Sequence, residues 1–444
     1  MTTAHPPGLI VAAPASASGK TVVSLGLIRH FVRTGARVAT AKAGPDYIDP
    51  AFHAAASGRP CYNLDTWAMR DATLSHVRAR LASGIDLVIC EGVMGLFDGA
   101  GEGAGSTADL AASTGWPVIL VVDVRGQGAS AAAVVRGFAS HRSDVALAGV
   151  VFNRAGSDRH AEILEAATAD AVPNVARLGC IPRMSDLALP SRHLGLVQAT
   201  ERADLEATLD RAADAVARHL DVDAIRRIAR PGAALADKEP WTPSVPPLGQ
   251  RIALAADDAF AFRYPMLIEA WRAAGAEIVP FSPLAGEGPD TGADAVYLPG
   301  GYPELHAGRI ASARGFLDGL AAAARRGAVV YGECGGYMVL GRRLIDARGE
   351  GHAMAGLLAL ETSFAEPRLH LGYRRARVSA DGPLGDAGAA YRGHEFHYAH
   401  AIEEGPGAPL FECADAEGTG RGPTGLVEGR VMGSFIHLID REDA

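Results

Sequence analysis

Cysteine is scarce in this chain: Cys61, Cys90, Cys180, Cys334 and Cys413 are five thiols among 444 residues, with no CxxC pair and no zinc-ligand spacing. That weighs against a disulfide scaffold or a zinc module and predicts a reduced, cytoplasmic setting. No uncharged apolar run approaches the roughly 18 residues needed to cross a bilayer, and Met1–Pro7 lacks the basic start and apolar core of a signal peptide, so no membrane partner is expected. Positive charge is not in excess. A net charge of −9 argues against nucleic acid as a partner, although an acidic substrate stays open because local basic pockets survive a negative total. There is no internal repeat, and low complexity is confined to a Gly/Ala-rich patch near 381–390. What remains is an ordinary globular composition, 48% hydrophobic and 21% charged, in a chain long enough for two or three domains at roughly 100–200 residues each.

Apolar β-like runs alternate with Ala-rich helical stretches. Gly8–Ala13, Arg37–Thr40, Asp86–Cys90 and Val118–Val122 each contain an uninterrupted apolar stretch, as expected of a parallel sheet covered on both faces. A second series begins at Arg251–Ala255 and continues through Ala276–Pro280, Ala295–Leu298 and Ala328–Tyr331. Between them Arg226-Arg227, Pro231-Gly232 and the prolines from Pro240 to Pro247 break any periodicity. The expected fold is therefore α/β, with two domains, 1–222 and 251–444, each a mainly parallel sheet flanked by helices, joined by a linker at 223–250.

Two strings carry chemistry. Tyr331-Gly332-Glu333-Cys334-Gly335-Gly336 follows an apolar run and precedes a helix-compatible stretch, the local pattern of a nucleophile elbow. There a strained backbone presents the thiol and the N–H of Gly335 faces a developing oxyanion. Pro14–Thr21 reads as a phosphate loop: Ser18, Gly19 and the helix end cradle phosphate, Lys20 neutralises it, and the Thr21 hydroxyl reaches Mg²⁺. Pro14 replaces the usual first glycine. Asp46 and Glu91, each after a predicted strand, are candidate Mg²⁺ carboxylates, with Asp98 and Asp123 weaker. Asn153-Arg154 is a candidate contact to the nucleotide base. For the thiolate, His437 is the candidate base, against His370, His394, His397 and His400. His394 and His397 have metal-like spacing but no evident third ligand. Gly300-Gly301 is the candidate second source of oxyanion N–H groups.

Taken in order, PASASGKT, KAGPDYIDPAFH, EGVMGLFDG, LPSRHLGLV, DDAFAFRYP, LPGGYPE, GECGGYMVLG and GHEFHY resemble the cobyrinic acid and hydrogenobyrinic acid a,c-diamide synthase family over nearly the whole chain. The resemblance implies a P-loop domain like that of dethiobiotin synthetase joined to a class I glutamine amidotransferase domain. It implies Cys334 as nucleophile, His437 as proton relay and Gly301 with Gly335 as oxyanion hole. Thr21, Asp46 and Glu91 would hold Mg²⁺, Ser18, Gly19, Lys20, Thr21 and Asn153 would bind ATP, and Tyr47, Asp49, Asp98, Arg192 and His193 would meet a corrin polycarboxylate. ATP would convert a corrin acetate to an acyl phosphate, and ammonia from glutamine would displace the phosphate. A homodimer is left open.

One departure stands out. Most class I amidotransferases place a glutamate two residues after the catalytic histidine, whereas here Leu438-Ile439-Asp440 follows. A dyad is expected, with the histidine oriented by Glu395, by Asp440 or by neither. The competing readings are cobyric acid synthase, a relative acting on nickel sirohydrochlorin, and a nucleotide-switch scaffold with a dead amidotransferase module.

Overall fold

A computed structural model describes residues 6–101, 104–187, 189–192, 195–233 and 241–442. The chain divides into two compact units, Met1–Trp67 with Leu74–Arg192 and Leu196–Glu239, and Ala68–Thr73 with His193–Gly195 and Pro240–Ala444. Among the described residues no helix is long and apolar enough to cross a membrane.

The first unit holds β1 (Pro7–Ala12), β2 (Val38–Ala43), β3 (Cys61–Leu64), β4 (Leu87–Glu91), β5 (Val118–Asp123), β6 (Leu147–Ala155) and β7 (Ala176–Pro182) in the order β3-β2-β4-β1-β5-β6-β7. All of these pairs are parallel. Leu9, Ile10 and Val11 of central β1 are fully buried, which is why the strand reads as unbroken apolar sequence. Helix α1 (Lys20–Arg33) follows the phosphate loop and buries Leu25, Leu27, Ile28 and Phe31. Each such side chain contributes up to about 1.5–3 kcal/mol. Gly26 allows a close approach to the helix Leu205–His219, since a Cβ there would lie 2.6 Å from the Ala212 carbonyl oxygen. Gly35, at φ +91°, ends α1.

The stretch expected as a linker begins with regular structure. Residues Val222–Ile228 are helical, capped by the Asp221 side chain on Ala224 N–H and anchored by fully buried Ile225. After the short strands β8 (Ser191–Arg192) and β9 (Gly195–Leu196), strand β10 (Arg230–Pro231) pairs antiparallel with the start of β1. Proline there costs nothing because it lies on a sheet margin.

The second unit contains β11 (Arg251–Ala255), β12 (Glu277–Phe281), β13 (Ala295–Leu298), β14 (Val329–Glu333), β15 (Arg343–Ile345), β16 (Gly351–Ala353), β17 (Leu360–Ser363), β18 (His370–Val378), β19 (Ala390–His397), β20 (His400–Glu404), β21 (Ala408–Ala414), β22 (Gly420–Glu428), β23 (Val431–Ser434) and β24 (His437–Arg441). The main sheet runs β12-β11-β13-β14-β23-β22-β21-β18-β19-β24. Its first five strands are parallel and flanked by helices as expected; from β22 onward it is extended by antiparallel strands. Strand β24 comes back beside β14, where Leu438 N–H donates to Glu333 Oε1 at 3.2 Å.

Candidate functional site

In the first unit the chain leaves β1 at the sheet's carboxyl edge and enters α1 at Lys20 through a loop with positive φ at Ala17 (+62°) and Gly19 (+93°). Only glycine fits the second position, because a Cβ would lie 2.1 Å from Asn153 Nδ2. Asn153, at the end of β6, donates that same amide to the Ser18 carbonyl at 2.9 Å. Its observed contact is with the loop, which it buttresses. Arg154 Nη1 donates to the Ala17 carbonyl and to Asp123 Oδ2, at 2.8 and 2.6 Å, tying the loop to the end of β5. Lys20 Nζ donates to the Met94 carbonyl at 2.5 Å; burial lowers its pKa while Glu91 opposes the shift.

The acidic candidates gather beside this loop. Register sets Lys42 of β2 opposite Glu91 of β4, and Lys42 Nζ lies 3.0 Å from Glu91 Oε1, 2.5 Å from Asp49 Oδ2 and 3.7 Å from Asp46 Oδ2. The Thr21 hydroxyl donates to Glu91 Oε1 at 2.8 Å, and the other Glu91 oxygen meets His53 Nε2 at 2.7 Å. Burial alone would raise the Glu91 carboxyl, yet Lys42 and His53 hold it well below the usual carboxylate range. Burial would likewise lower His53, but hydrogen bonds to Cys61 and Glu91 push it up to about 10. Thr21, Asp46 and Glu91 offer a hard cation the oxygen donors it prefers, drawn together around a buried ammonium, so the residues fit magnesium. Lys42 and His53 were not singled out from the sequence. The signal for Lys42 was its place in a buried strand, where an ammonium requires partners.

In the second unit Cys334 occupies the expected elbow, at φ +48° and ψ −106°, between β14 and the helix Gly335–Leu340. A side chain held there stores on the order of 1–3 kcal/mol. The turn is permitted by its neighbours: a Cβ on Gly332 would lie 2.7 Å from the Gly336 carbonyl carbon, and one on Gly336 would lie 2.0 Å from the Leu298 carbonyl oxygen. Cys334 and His437 converge at Gly300. A Cβ there would lie 2.4 Å from His437 Cε1, 3.0 Å from His437 Nε2 and 3.2 Å from Cys334 Cβ. The expected oxyanion glycines are also adjacent, since a Cβ on Gly335 would fall 3.1 Å from Gly301 N. Burial, with Glu304 nearby, pushes the Cys334 thiol well up, and burial with His394 and His397 lowers His437 to about 3. Both shifts favour the uncharged forms of the thiol and the imidazole.

Residues 9–197 match a family described as CobQ/CobB/MinD/ParA nucleotide binding domain, and residues 251–444 a CobB/CobQ-like glutamine amidotransferase domain. Proteins named hydrogenobyrinate a,c-diamide synthase from Rhodobacter capsulatus, Brucella anthropi and a Sinorhizobium species are 55%, 52% and 53% identical, with 98% of this chain and 98–99% of theirs aligned. The chain belongs to the hydrogenobyrinate a,c-diamide synthase family.

In this synthase-family chain both carboxylates expected to orient His437 have other partners, although Glu395 still acts on its charge. Asp440 is fully buried and accepts from Arg70 N–H at 2.8 Å and Arg70 Nε at 3.0 Å. Glu395 meets Arg374 Nε at 2.7 Å and His397 Nε2 at 2.8 Å. Glu333 also approaches, with Oε2 at 3.8 Å from His437 Nδ1. His370, Glu395 and His397, a different set from the His394 and His397 pair, have ligand atoms within 4.8 Å of one another. They do not suit a metal, however, because the two imidazoles are parallel within 5° and Arg374 already neutralises Glu395. A cation in the plane of one ring would lie off the plane of the other.

Asp98, Tyr47, Asp49 and Arg192 belong to the first unit of this synthase-family chain. Asp98 Oδ2 accepts from Gly95 N–H at 2.9 Å and so orders the turn after β4. Tyr47 is buried, and Asp49 serves Lys42. Arg192 forms a two-pronged pair with Glu201 at 2.7 and 2.5 Å. His193 lies outside the described residues.

Proposed function

We propose that this chain converts the a- and c-acetates of hydrogenobyrinic acid to carboxamides, using ATP and glutamine. The observation that carries the reading is the meeting of Cys334 and His437 at Gly300, on the same chain as a phosphate loop whose Thr21 is bonded to Glu91.

In the second unit, His437 Nε2 takes the Cys334 proton as sulfur attacks the glutamine carboxamide. The oxyanion is held by the N–H groups of Gly301 and Gly335. The C–N bond then breaks, His437 returns the proton to the leaving nitrogen, and water cleaves the thioester to glutamate. The high thiol pKa and low imidazole pKa keep the pair uncharged until an amide enters, which suppresses idle chemistry.

In the first unit, a corrin carboxylate oxygen attacks the γ-phosphorus of ATP and ADP leaves; ammonia then attacks the acyl phosphate and phosphate leaves. Lys20 and the loop amides of Ser18 and Gly19 hold phosphate, while Asn153 holds the loop. Thr21, Asp46 and Glu91 would hold magnesium, which supplies charge neutralisation at the phosphates. Arg192 meets a substrate carboxylate by exchanging Glu201 for it.

The test is mass spectrometry of hydrogenobyrinic acid and, separately, cobyrinic acid after incubation with the protein, Mg·ATP and glutamine. Two amides gained, faster on the metal-free acid, is the expected result. Amidation of the a,c-diamide alone would reassign the chain to cobyric acid synthesis.

A further inference from the structure

Glu333 immediately precedes the nucleophile, yet its side chain turns toward the base. Fully enclosed at the end of β14, it accepts from Tyr297 Oη at 2.7 Å, Tyr331 Oη at 3.0 Å and Leu438 N–H at 3.2 Å. The last of these bonds comes from the residue next to His437, so the carboxyl fixes the backbone of the base as well as facing its ring. The two ring nitrogens look in different directions: Nε2 lies toward Gly300 and Cys334, and Nδ1 lies 3.8 Å from Glu333 Oε2.

We propose that Glu333 is the positioning residue of the glutaminase, holding the proton of His437 on Nδ1 so that the Nε2 lone pair faces Cys334. It does so from the opposite side in sequence to the usual glutamate, and it rests on the glutaminase reading of Cys334 and His437. A separation of 3.8 Å is longer than a hydrogen bond. Contacts of this kind tighten when substrate binds. Burial raises the Glu333 carboxyl to about 7, against the hydrogen bonds from Tyr297, Leu438 and Tyr331. The ionisable groups around the pair are Tyr297 on β13 with Arg263 and Tyr264 behind it, Tyr331 and Cys334 at β14, and His394, Glu395 and His397 on β19.

The test compares wild type with Glu333→Gln in the full chain, measuring glutamine-dependent and ammonia-dependent amidation on the same preparation. Glutamine can keep the bonds that Oε1 accepts from Tyr331 and Leu438, but its NH₂ at the Oε2 position cannot accept from Tyr297 and offers an N–H to Nδ1, which favours the wrong tautomer. A fall of about 10²–10⁴ in glutamine-dependent kcat is expected. The KM for glutamine should stay within a few-fold, and ammonia-dependent turnover should be unchanged. Glutamine-dependent kcat within three-fold of wild type would overturn the proposal. Equal loss with both nitrogen sources would overturn it too, as loss of fold. Absence of ammonia-dependent amidation in wild type would instead count against the function proposed above. Independently of any variant, ¹⁵N NMR of the histidine-labelled wild type, with His437→Asn to assign the signal, should show a neutral ring protonated at Nδ1. A proton on Nε2 would refute the assignment.

Discussion

At the residue scale, the chemistry rests on ionisable groups that burial has moved in opposite directions. Cys334→Ser should abolish glutamine-dependent amide formation and leave ammonia-dependent formation within a few-fold of wild type, read by product mass. Lys20→Ala and Glu91→Gln should remove both. His437 also leaves a signature in stability. Its native pKa of about 3 lies below the ordinary 6.5, so between those values the unfolded chain binds a proton that the native state does not. Stability is therefore lost as pH falls from about 6.5 toward 3, by at most roughly 5 kcal/mol, and His437→Asn should flatten that slope in thermal melts against pH. Glu333, raised to about 7 from 4.5, acts in the opposite sense and costs stability as pH rises through that interval. Cys334 and Lys20 were legible because strings of six to eight neighbours specify an elbow or a phosphate loop. Glu333 stood in the same string and was passed over, since its partner His437 is brought to it only by tertiary structure.

At the scale of elements, register and close approach decide which groups meet. Pairing β2 with β4 places Lys42 against Glu91, and a slip of one residue would turn the ammonium away from the acids. In the second unit, β24 must run beside both β19 and the end of β14 for His437 to face Gly300. Gly300→Ala is expected to cut glutamine-dependent turnover at least 100-fold while sparing ammonia-dependent turnover, because the methyl would lie 2.4 Å from His437 Cε1. Retention of glutaminase in steady-state assays would contradict that placement. The parallel strands were readable as apolar runs. The antiparallel extension was not: strands such as β18 and β22 carry arginine or glycine at many positions and only half-buried faces, so their hydrophobic signal is weak. The helix Val222–Ile228 and β10 were hidden by the adjoining Arg226-Arg227 and Pro231-Gly232, which resemble a linker in composition.

At the scale of the whole molecule, each unit is expected to answer its own ligand. Mg·ATP at about 100 times its Kd should stabilise the first unit by about 2.7 kcal/mol, seen as an upward shift of its melting transition. The shift should persist in Cys334→Ser and vanish in Lys20→Ala; a shift in both would remove Lys20 from the phosphate site. The two-domain α/β organisation was legible from length and from the break after the first α/β series. The assignment of Ala68–Thr73 to the second unit was not, because it depends on Arg70 finding Asp440, far away in sequence. The glycines have a consequence for mutational tolerance. Gly19 leaves room for Asn153, Gly300 for His437, and Gly336 for the Leu298 carbonyl, so none of them performs a chemical step. A saturation screen should nonetheless find these positions as intolerant as the nucleophile, and a map of importance drawn only from reactive side chains would leave them blank.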